Sequence, residues 1–220
     1  STPKPSSAAS DVYKRQTSYK PLPPIIANLF VILFKMIYLF ITQKIMDLKE
    51  YIRSIPDYPK KGILFRDITT LIKNETAFAE TINQIVERSK NYKIDKIAAI
   101  ESRGFVFASA VSYLLKKPFI LLRKKNKLPA DTYSVDFELE YGTATIEMHK
   151  DSIDENDSVL IIDDLIATGG TAKAAAKLIE MSKGNISAFI FVINLFDLGG
   201  CDDLIKEGYK IENLIEFPGH

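Results

Sequence analysis

Residues 159–171 read Val-Leu-Ile-Ile-Asp-Asp-Leu-Ile-Ala-Thr-Gly-Gly-Thr, which joins an apolar run, two carboxylates and a loop of small residues. The apolar residues 159–162 predict a strand buried on both faces, as in a parallel sheet. Residues 171–181 are rich in alanine and predict the helix that follows. The stretch therefore predicts an α/β fold in which Asp163 and Asp164 lie where a strand gives way to a loop.

The loop after these acids has the composition of a phosphate-binding turn. Its small residues leave backbone N–H groups unobstructed, and two of them add hydroxyls. They are Ala167, Thr168, Gly169, Gly170 and Thr171. Unpaired donors and the positive end of a helix dipole favour a phosphate there. Asp163 and Asp164 offer acceptors to ribose hydroxyls and to the waters of a Mg²⁺ ion that a diphosphate brings with it. The stretch is thus the outline of a phosphoribosyl diphosphate site.

Two other phosphate motifs do not fit the loop. No Gly-Lys-Ser/Thr sequence closes it, and Gly169-Gly170 lacks the spacing of a dinucleotide fingerprint. The alternative is an ordinary strand-to-helix turn with solvated acids and Thr171 as a helix cap. The strand in front and the helix behind favour the phosphate site.

The rest of the chain alternates helices and strands. The predicted helices cover residues 48–55, 76–90 with Asn74 as cap, 106–115 and 171–181 with Gly184 at its end, and the predicted strands cover 97–100, 118–122, 159–162 and 187–195. Residues 133–148 alternate apolar and polar side chains and predict an antiparallel excursion. The alternation predicts a parallel sheet with ligands at the carboxyl ends of its strands.

Two further polar loops follow predicted strands. Ser102 and Arg103 precede a glycine, so that a backbone approach and a guanidinium can both meet a diphosphate. Arg123, Lys124 and Lys127 add three cations after the next strand, which would neutralise the charge of a leaving diphosphate. A surface arginine and a solvated charged face are the alternatives.

Several blocks resemble the type I phosphoribosyltransferases, and among these the adenine-specific members most closely. They are Asp-Tyr-Pro-Lys-Lys-Gly-Ile-Leu-Phe-Arg-Asp at 57–67, Glu-Ser-Arg-Gly-Phe at 101–105, Arg-Lys-Lys-Asn-Lys-Leu-Pro at 123–129, Leu-Glu-Tyr-Gly at 139–142 and Phe-Pro-Gly-His at 217–220. They occur in the order of that family. The resemblance extends from about Met46 to residue 220.

The resemblance implies a type I phosphoribosyltransferase fold: a central, mostly parallel sheet flanked by helices, with a small hood and a mobile antiparallel lid. It implies a pentosyltransferase of purine salvage that converts adenine and 5-phosphoribosyl 1-diphosphate (PRPP) to AMP and diphosphate with Mg²⁺. It also implies a cytoplasmic homodimer with a neighbour's basic loop near the site. A relative specific for another purine, and a non-catalytic nucleotide-sensing regulator, are the alternatives.

The resemblance also assigns roles to residues. Phe65 stacks on the base and the backbone around Leu64 reads its edge, while Arg66 lies beside the base or pairs with Asp67. Glu140, next to Tyr141 in the lid, orients the base or moves a proton at its imidazole ring. The catalytic candidates are Glu140, Arg103, Asp163 and Asp164. The substrate-binding candidates are Leu64, Phe65, Arg66, Ser102, Arg103, Arg123, Lys124, Lys127, Tyr141, Asp163, Asp164, Ala167, Thr168, Gly169, Gly170 and Thr171. An unusual peptide geometry is implied between Glu101 and Ser102.

The composition limits the kinds of binding partner and metal that we expect. The net charge of +1 gives no electrostatic reason to expect nucleic-acid binding. The single cysteine, Cys201, suits a reducing compartment. His149 and His220 are the only histidines, so no His/Cys cluster is predicted. Any metal is expected to be a hard cation that PRPP carries, held through water by the two acids and by no direct protein ligand.

Residues 1–45 fall outside the resemblance and are expected to be a leader that is separate from a catalytic domain at 46–220. Residues 25–41 are apolar apart from Asn28 and Lys35, at the short limit for a membrane span. A signal peptide fits less well, because its charged region would be too long and no cleavage site follows. Translation from upstream of a start at Met46 is the favoured interpretation, and no membrane attachment is expected. A membrane anchor is the alternative.

Overall fold

The computed structural model describes residues 23–42, 46–139 and 142–219. Glu140, Tyr141 and His220 lie outside the described residues, as do residues 1–22 and 43–45. The chain divides into two units, Ser1–Met46 and Asp47–His220. Each unit is described by itself.

The described part of the first unit is essentially one helix, α1, which spans Pro24–Thr42. Its large apolar side chains between residues 25 and 34 lie open to solvent, with Ile25 75% and Phe34 74% exposed. Among the described residues, no helix combines the length and the apolar character that crossing a membrane requires.

The second unit is an α/β unit in which helices and strands alternate along the chain. In order, its described elements are a 3-10 turn at Leu48–Tyr51, β1 at Arg53–Pro56, β2 at Leu64–Asp67, α2 at Thr69–Ile72, α3 at Glu75–Ser89, β3 at Lys96–Ile100, α4 at Arg103–Leu115, β4 at Phe119–Lys124, β5 at Thr132–Leu139, β6 at Gly142–His149, β7 at Ser158–Ile166, α5 at Gly170–Met181, β8 at Asn185–Leu195, a 3-10 turn at Phe196–Leu198, α6 at Gly200–Lys206 and β9 at Ile211–Phe217.

The main sheet has seven strands in the order β5-β6-β4-β3-β7-β8-β9. The neighbours from β4 through β3, β7 and β8 to β9 are parallel, whereas β6 pairs antiparallel with both β4 and β5. β1 and β2 form a separate antiparallel pair, the hood. The predicted fold class, a mostly parallel sheet with an antiparallel excursion and a small hood, is confirmed.

The core lies around β7 and its neighbours. Residues 159–162 are fully buried, which agrees with the prediction of a strand covered on both faces. Helix α4 packs against β3 and β7, and α5 packs against β5, β6 and β8. Since α4 and α5 each begin where a strand has just ended, their N-termini lie beside the carboxyl ends of β3 and β7.

The first predicted helix and the end of α5 differ from expectation. Residues 48–55 form only a 3-10 turn, because residues from Arg53 pair with β2 as strand β1. After α5 the left-handed residue is Lys183, with φ of 60°, and not Gly184. Gly184 instead donates to Ile179 O and packs closely: a Cβ there would lie 2.9 Å from Ile153 Cγ2.

Three other elements extend beyond their predicted bounds at the end that lies nearest the site. α4 starts at Arg103 rather than at residue 106, and β4 continues to Lys124 rather than ending at residue 122. β7 continues to Ile166 rather than ending at residue 162. The cap of α3 is as predicted, because Asn74 Oδ1 accepts a hydrogen bond from Ala77 N at 2.9 Å.

Candidate active site

A cavity of about 460 Å³ lies at the carboxyl ends of β3 and β7. It brings together most of the residues predicted from the loops. Those predicted residues are Ser102, Arg103, Asp163, Asp164, Ala167, Thr168, Gly169, Gly170 and Thr171. Ile100, Glu101, Leu165, Ile166, Ala172 and Phe191 also line it. The apolar residues of this second group could not be identified from the sequence, because apolar residues of strands and helices look alike whether or not a cavity lies against them.

The phosphate loop, residues 167–171, connects β7 to α5. Gly169 is the N-cap of α5 and has φ of +83°, a left-handed conformation that favours glycine. Because this cap has no side chain, it leaves the first N–H groups of the helix to a ligand. Gly170 lies close to the lid hairpin, since a Cβ there would be 3.0 Å from Glu138 O.

The two acids lie within β7 and not beyond its end, which corrects their predicted position. Asp163 pairs with Phe191 of β8 because the parallel ladder continues past the apolar run. Both residues are buried, at 9% and 4% exposure for Asp163 and Asp164. Both therefore line the cavity from within a strand and are not solvated loop acids.

Burial dominates the protonation of this pair. Loss of solvent, followed by the charge of Asp164, raises the pKa of Asp163 well above its ordinary value. Burial also raises the pKa of Asp164, and the Arg103 cation opposes that effect. Asp163 Oδ1 accepts a hydrogen bond from Asp164 N at 2.9 Å. A ligand that supplies hydrogen-bond donors or positive charge would therefore stabilise the charged forms of both carboxyl groups.

Arg103 joins the acids to the hood. Its Nε lies 2.9 Å from Asp164 Oδ2, an ion pair in which the oxygen still has no hydrogen bond from the described residues. The guanidinium carbon lies 5.4 Å from the centre of the Phe65 ring. Phe65 also meets Tyr58 edge-on, at 5.1 Å between ring centres. One cation therefore borders both the acids and the expected base-stacking ring.

The first turn of α4 reaches β7 only because Gly104 has no side chain. A Cβ at Gly104 would lie 2.7 Å from Asp163 Oδ1 and 3.1 Å from Ile162 O. The N-cap of α4 is Ser102, and the peptide between Glu101 and Ser102 is cis, in agreement with the unusual geometry that the resemblance implied. Gly104 thus fixes the distance between the Arg103 turn and the acids.

The basic segment, residues 123–127, begins within β4 and does not line the cavity. Arg123 Nε lies 3.1 Å from Glu101 Oε2, and its Nη1 donates to Lys127 O. Lys124 N donates to the same Glu101 oxygen. Burial acts to raise the pKa of Glu101, but these contacts outweigh it and hold that pKa below its ordinary value. The side chains of Lys124 and Lys127 are exposed at this edge.

Arg66 is held by two hydrogen bonds and by the Phe217 ring, and not by Asp67. Asp67 accepts from Arg53 Nε at 3.0 Å, so the expected ion pair of Arg66 with Asp67 is wrong. Arg66 is 6% exposed; it donates to Ser54 Oγ and Pro218 O, and it lies 4.4 Å from the Phe217 ring centre. Its neighbour Leu64 is half-buried in β2.

Glu140 and Tyr141 lie outside the described residues, so their roles stay predictions. The hairpin that carries them is described on both sides, with Leu139 paired to Gly142 across β5 and β6. Within the described residues, no three His, Cys, Asp or Glu side chains are grouped to hold a metal ion by themselves.

Known proteins resemble both the sequence and the fold. A model of the phosphoribosyl transferase domain matches residues 67–194. The adenine phosphoribosyltransferase of Pelagibacter ubique is 83% identical over 175 residues, which cover 80% of this chain and all of that protein. The crystal structure of adenine phosphoribosyltransferase from Thermoanaerobacter pseudethanolicus has a TM-score of 0.75 and 46% identity, covering 78% of this chain and 98% of that one.

A ligand-bound relative gives a similar match. The Saccharomyces cerevisiae adenine phosphoribosyltransferase, complexed with adenine and an imino-altritol bisphosphate, has a TM-score of 0.71 and 34% identity over 76% of this chain and 96% of its own. The chain belongs to the adenine phosphoribosyltransferase family of phosphoribosyl transferase domains.

Proposed function

We propose that this chain transfers the 5-phosphoribosyl group of PRPP to N9 of adenine, which yields AMP and diphosphate in purine salvage. The observation that carries the proposal is one cavity that holds buried Asp163 and Asp164 beside the uncapped N-terminus of α5. Acceptors for a ribose and donors for its 5-phosphate thus line the same cavity. Family membership supplies the base.

The phosphate loop binds the 5-phosphate. The N–H groups at the start of α5 and the hydroxyls of Thr168 and Thr171 are donors, and the helix dipole adds positive potential. Asp163 and Asp164 accept from the ribose hydroxyls, and the Asp164 oxygen without a hydrogen bond suits such a donor. Binding energy at these two ends orients the anomeric carbon.

Departure of the diphosphate is favoured by positive charge. Arg103 and the N–H groups of the Ser102 turn meet the diphosphate directly, while Arg123, Lys124 and Lys127 add positive potential from the next strand. The buried acid pair fits a Mg²⁺ ion that arrives with PRPP and keeps its waters, because burial raises the pKa of both carboxyl groups and a nearby cation would stabilise their charged forms. Such an ion would neutralise diphosphate oxygens.

The hood and the lid receive the base. Phe65 stacks on adenine and the backbone at Leu64 reads its edge, with Arg66 supporting the hood from behind. Glu140 orients adenine or moves its imidazole proton, and Tyr141 helps to close the lid over the site. Exclusion of water protects an oxocarbenium-like ribosyl centre from hydrolysis.

The assembly and its location complete the proposal. We infer a cytoplasmic homodimer in which a neighbour's basic loop approaches each site, with no nucleic-acid or membrane partner. The catalytic domain comprises residues 46–220, and residues 1–45 take no part in catalysis.

Base choice tests the proposal. Purified protein with PRPP and Mg²⁺ is assayed for kcat/KM with adenine, hypoxanthine and guanine. We expect adenine to exceed the others by at least about a hundredfold, since a site built for one polar edge leaves its groups unpaired with another base. Comparable rates with hypoxanthine would indicate a different purine substrate. A protein that binds AMP yet transfers to no base would indicate a regulator.

The role of the acids is tested by Asp164→Asn. We expect kcat/KM for PRPP to fall by roughly 10- to 1,000-fold while the fold is kept, because a charge-assisted contact is lost. Asp151→Asn, an exposed acid outside the cavity, is the matched control. An Asp164→Asn enzyme with the kinetics of the control would place Asp164 outside the reaction.

A further inference from the structure

The phosphate loop rests directly on the backbone of another segment at Gly200. Gly200 is buried, begins α6 and donates its N–H to Ala167 O at 3.0 Å. A Cβ at Gly200 would lie 2.3 Å from Ala167 O, 2.6 Å from Gly169 N and 2.8 Å from Thr168 C. All three are backbone atoms of the loop, so no side chain could turn away to make room.

The contact is also tight when it is measured from Gly169. A Cβ at Gly169 would lie 3.1 Å from Gly200 O and 3.2 Å from Gly200 Cα. Gly169 is also the left-handed cap of α5. The two glycines therefore allow the two backbone segments to come into contact. The position of the phosphate loop depends on the position of Gly200.

The segment that ends at Gly200 is itself anchored. Asp197 Oδ1 accepts a hydrogen bond from Gly219 N at 2.5 Å. A Cβ at Gly219 would lie 2.6 Å from Leu198 Cγ and 2.9 Å from Asp197 Oδ1, so Gly219 packs closely against these two side chains. Residues 217–219 thus hold residues 197–198 in place.

The same residues 217–219 hold the hood. Arg66 Nη2 donates to Pro218 O at 2.8 Å, and its guanidinium lies over the Phe217 ring. Burial lowers the pKa of Arg66, and the charge of Asp197 opposes that effect, so this acid also stabilises the cation. Arg66 adjoins Phe65 in β2. A continuous set of contacts therefore runs from the hood to the phosphate loop.

We propose that residues 197–200 and 217–219 form a brace that positions the phosphate loop relative to the hood. Gly200 is the positioning residue for the loop, Arg66 for the hood, and Asp197 is their shared anchor. None of these three residues lines the cavity, so they act through the residues that do. The inference rests on the proposed function, in which the loop takes the 5-phosphate and the hood takes the base.

The loop end of the brace is tested by Gly200→Ala against Gly184→Ala. Neither glycine has positive φ, and each is crowded, but Gly184 meets the side chains of Ile153 and Ile179 away from the cavity. We expect Gly200→Ala to raise the KM for PRPP by about tenfold or more, with the KM for adenine at saturating PRPP changed by less than about threefold. Gly184→Ala should lower stability and leave both KM values within about twofold. Equal kinetics for the two variants would overturn the role of Gly200.

The shared anchor is tested at Asp197, an exposed position where replacement leaves the core intact. We expect Asp197→Ala to raise the KM for PRPP and the KM for adenine together, each by about three- to tenfold. Asp197→Asn keeps an oxygen acceptor for Gly219 N and should restore the KM for PRPP to within about twofold. An Asp197→Ala enzyme with both KM values unchanged would overturn the anchor.

A measurement without substrate separates the brace from the proposed function. Amide hydrogen exchange of residues 168–171 in the ligand-free full chain should be at least about tenfold faster in Gly200→Ala than in the parent, and unchanged in Gly184→Ala. If the parent made no AMP, the proposed function would fail while this comparison still tested the brace. Unchanged exchange in Gly200→Ala would overturn the brace whatever the enzyme's activity.

Discussion

At the scale of single residues, the site departs from what a stable core prefers. Asp163 and Asp164 are neighbouring acids in a buried strand, where removal from water disfavours their charged forms. Such departures from local rules are expected where a protein binds ligands. Beyond Arg103 and the Asp164 N–H, the acids gain further partners when donors or cations enter the cavity. We therefore expect this pair to cost stability in the ligand-free protein.

That cost is tested by Asp163→Asn, which retains an acceptor for Asp164 N. Burial and the Asp164 charge raise the folded-state pKa of Asp163. Between the unfolded pKa, about 3.9, and the raised folded value, only the folded state keeps the proton, so the free energy of unfolding falls as pH rises through this window. The substitution removes that loss.

We expect urea denaturation at pH 7 to give Asp163→Asn a larger free energy of unfolding than the parent, by about 1.4 kcal/mol for each unit by which folding raises the pKa of Asp163. Near pH 4 the difference should shrink, because the parent acid is then protonated in the folded state and about half protonated in the unfolded state. Asp151→Asn serves as the exposed control. A variant less stable than the parent at pH 7 would mean that the carboxylate is favoured where it lies.

At the scale of elements, the kinds of strand and helix could be predicted from periodicity, but their ends at the site could not. The apolar run stops at Ile162, yet β7 continues because Leu165 and Ile166 pair with Ile193 and Asn194 of β8. This pairing depends on a strand that lies later in the chain. The acids and the end of β4 were therefore misplaced by the same cause, because pairing with β8 and with β6 extends these strands beyond their own sequence signals.

Caps are the exception, since they depend on a few adjacent residues. Asn74 caps α3 through Ala77 N, and Asn74→Ala should lower the free energy of unfolding by about 1 kcal/mol. Because α3 does not line the cavity, kcat and KM should stay within about twofold. Asn74→Asp, which keeps the acceptor, is the control, and chemical denaturation with steady-state assays measures both effects. A large loss of activity in Asn74→Ala would connect α3 to the site.

At the scale of the molecule, the sequence predicted which loops meet but not what holds them. The phosphate loop, the Arg103 turn and the acids meet in one cavity because parallel strands end at one edge. The brace joins residues far apart in the chain, as in the contact of Arg66 with Pro218 across 152 positions. Backbone contacts through Gly200 and Gly219 leave no periodic pattern. Long-range packing of this kind becomes visible only in the folded structure.

The last prediction concerns residues 1–45. Every proposed site residue lies beyond Met46, and the Asp47–His220 unit has a core of its own around β7. Deletion of residues 1–45 should therefore leave kcat and KM for adenine and PRPP within about twofold, because the site and its brace remain complete. Solubility should improve, since the exposed apolar side chains of α1 favour association. Steady-state assays, denaturation and the soluble yield of both forms measure these effects. A truncated protein that is inactive or unfolded would show that residues 1–45 belong to the working structure.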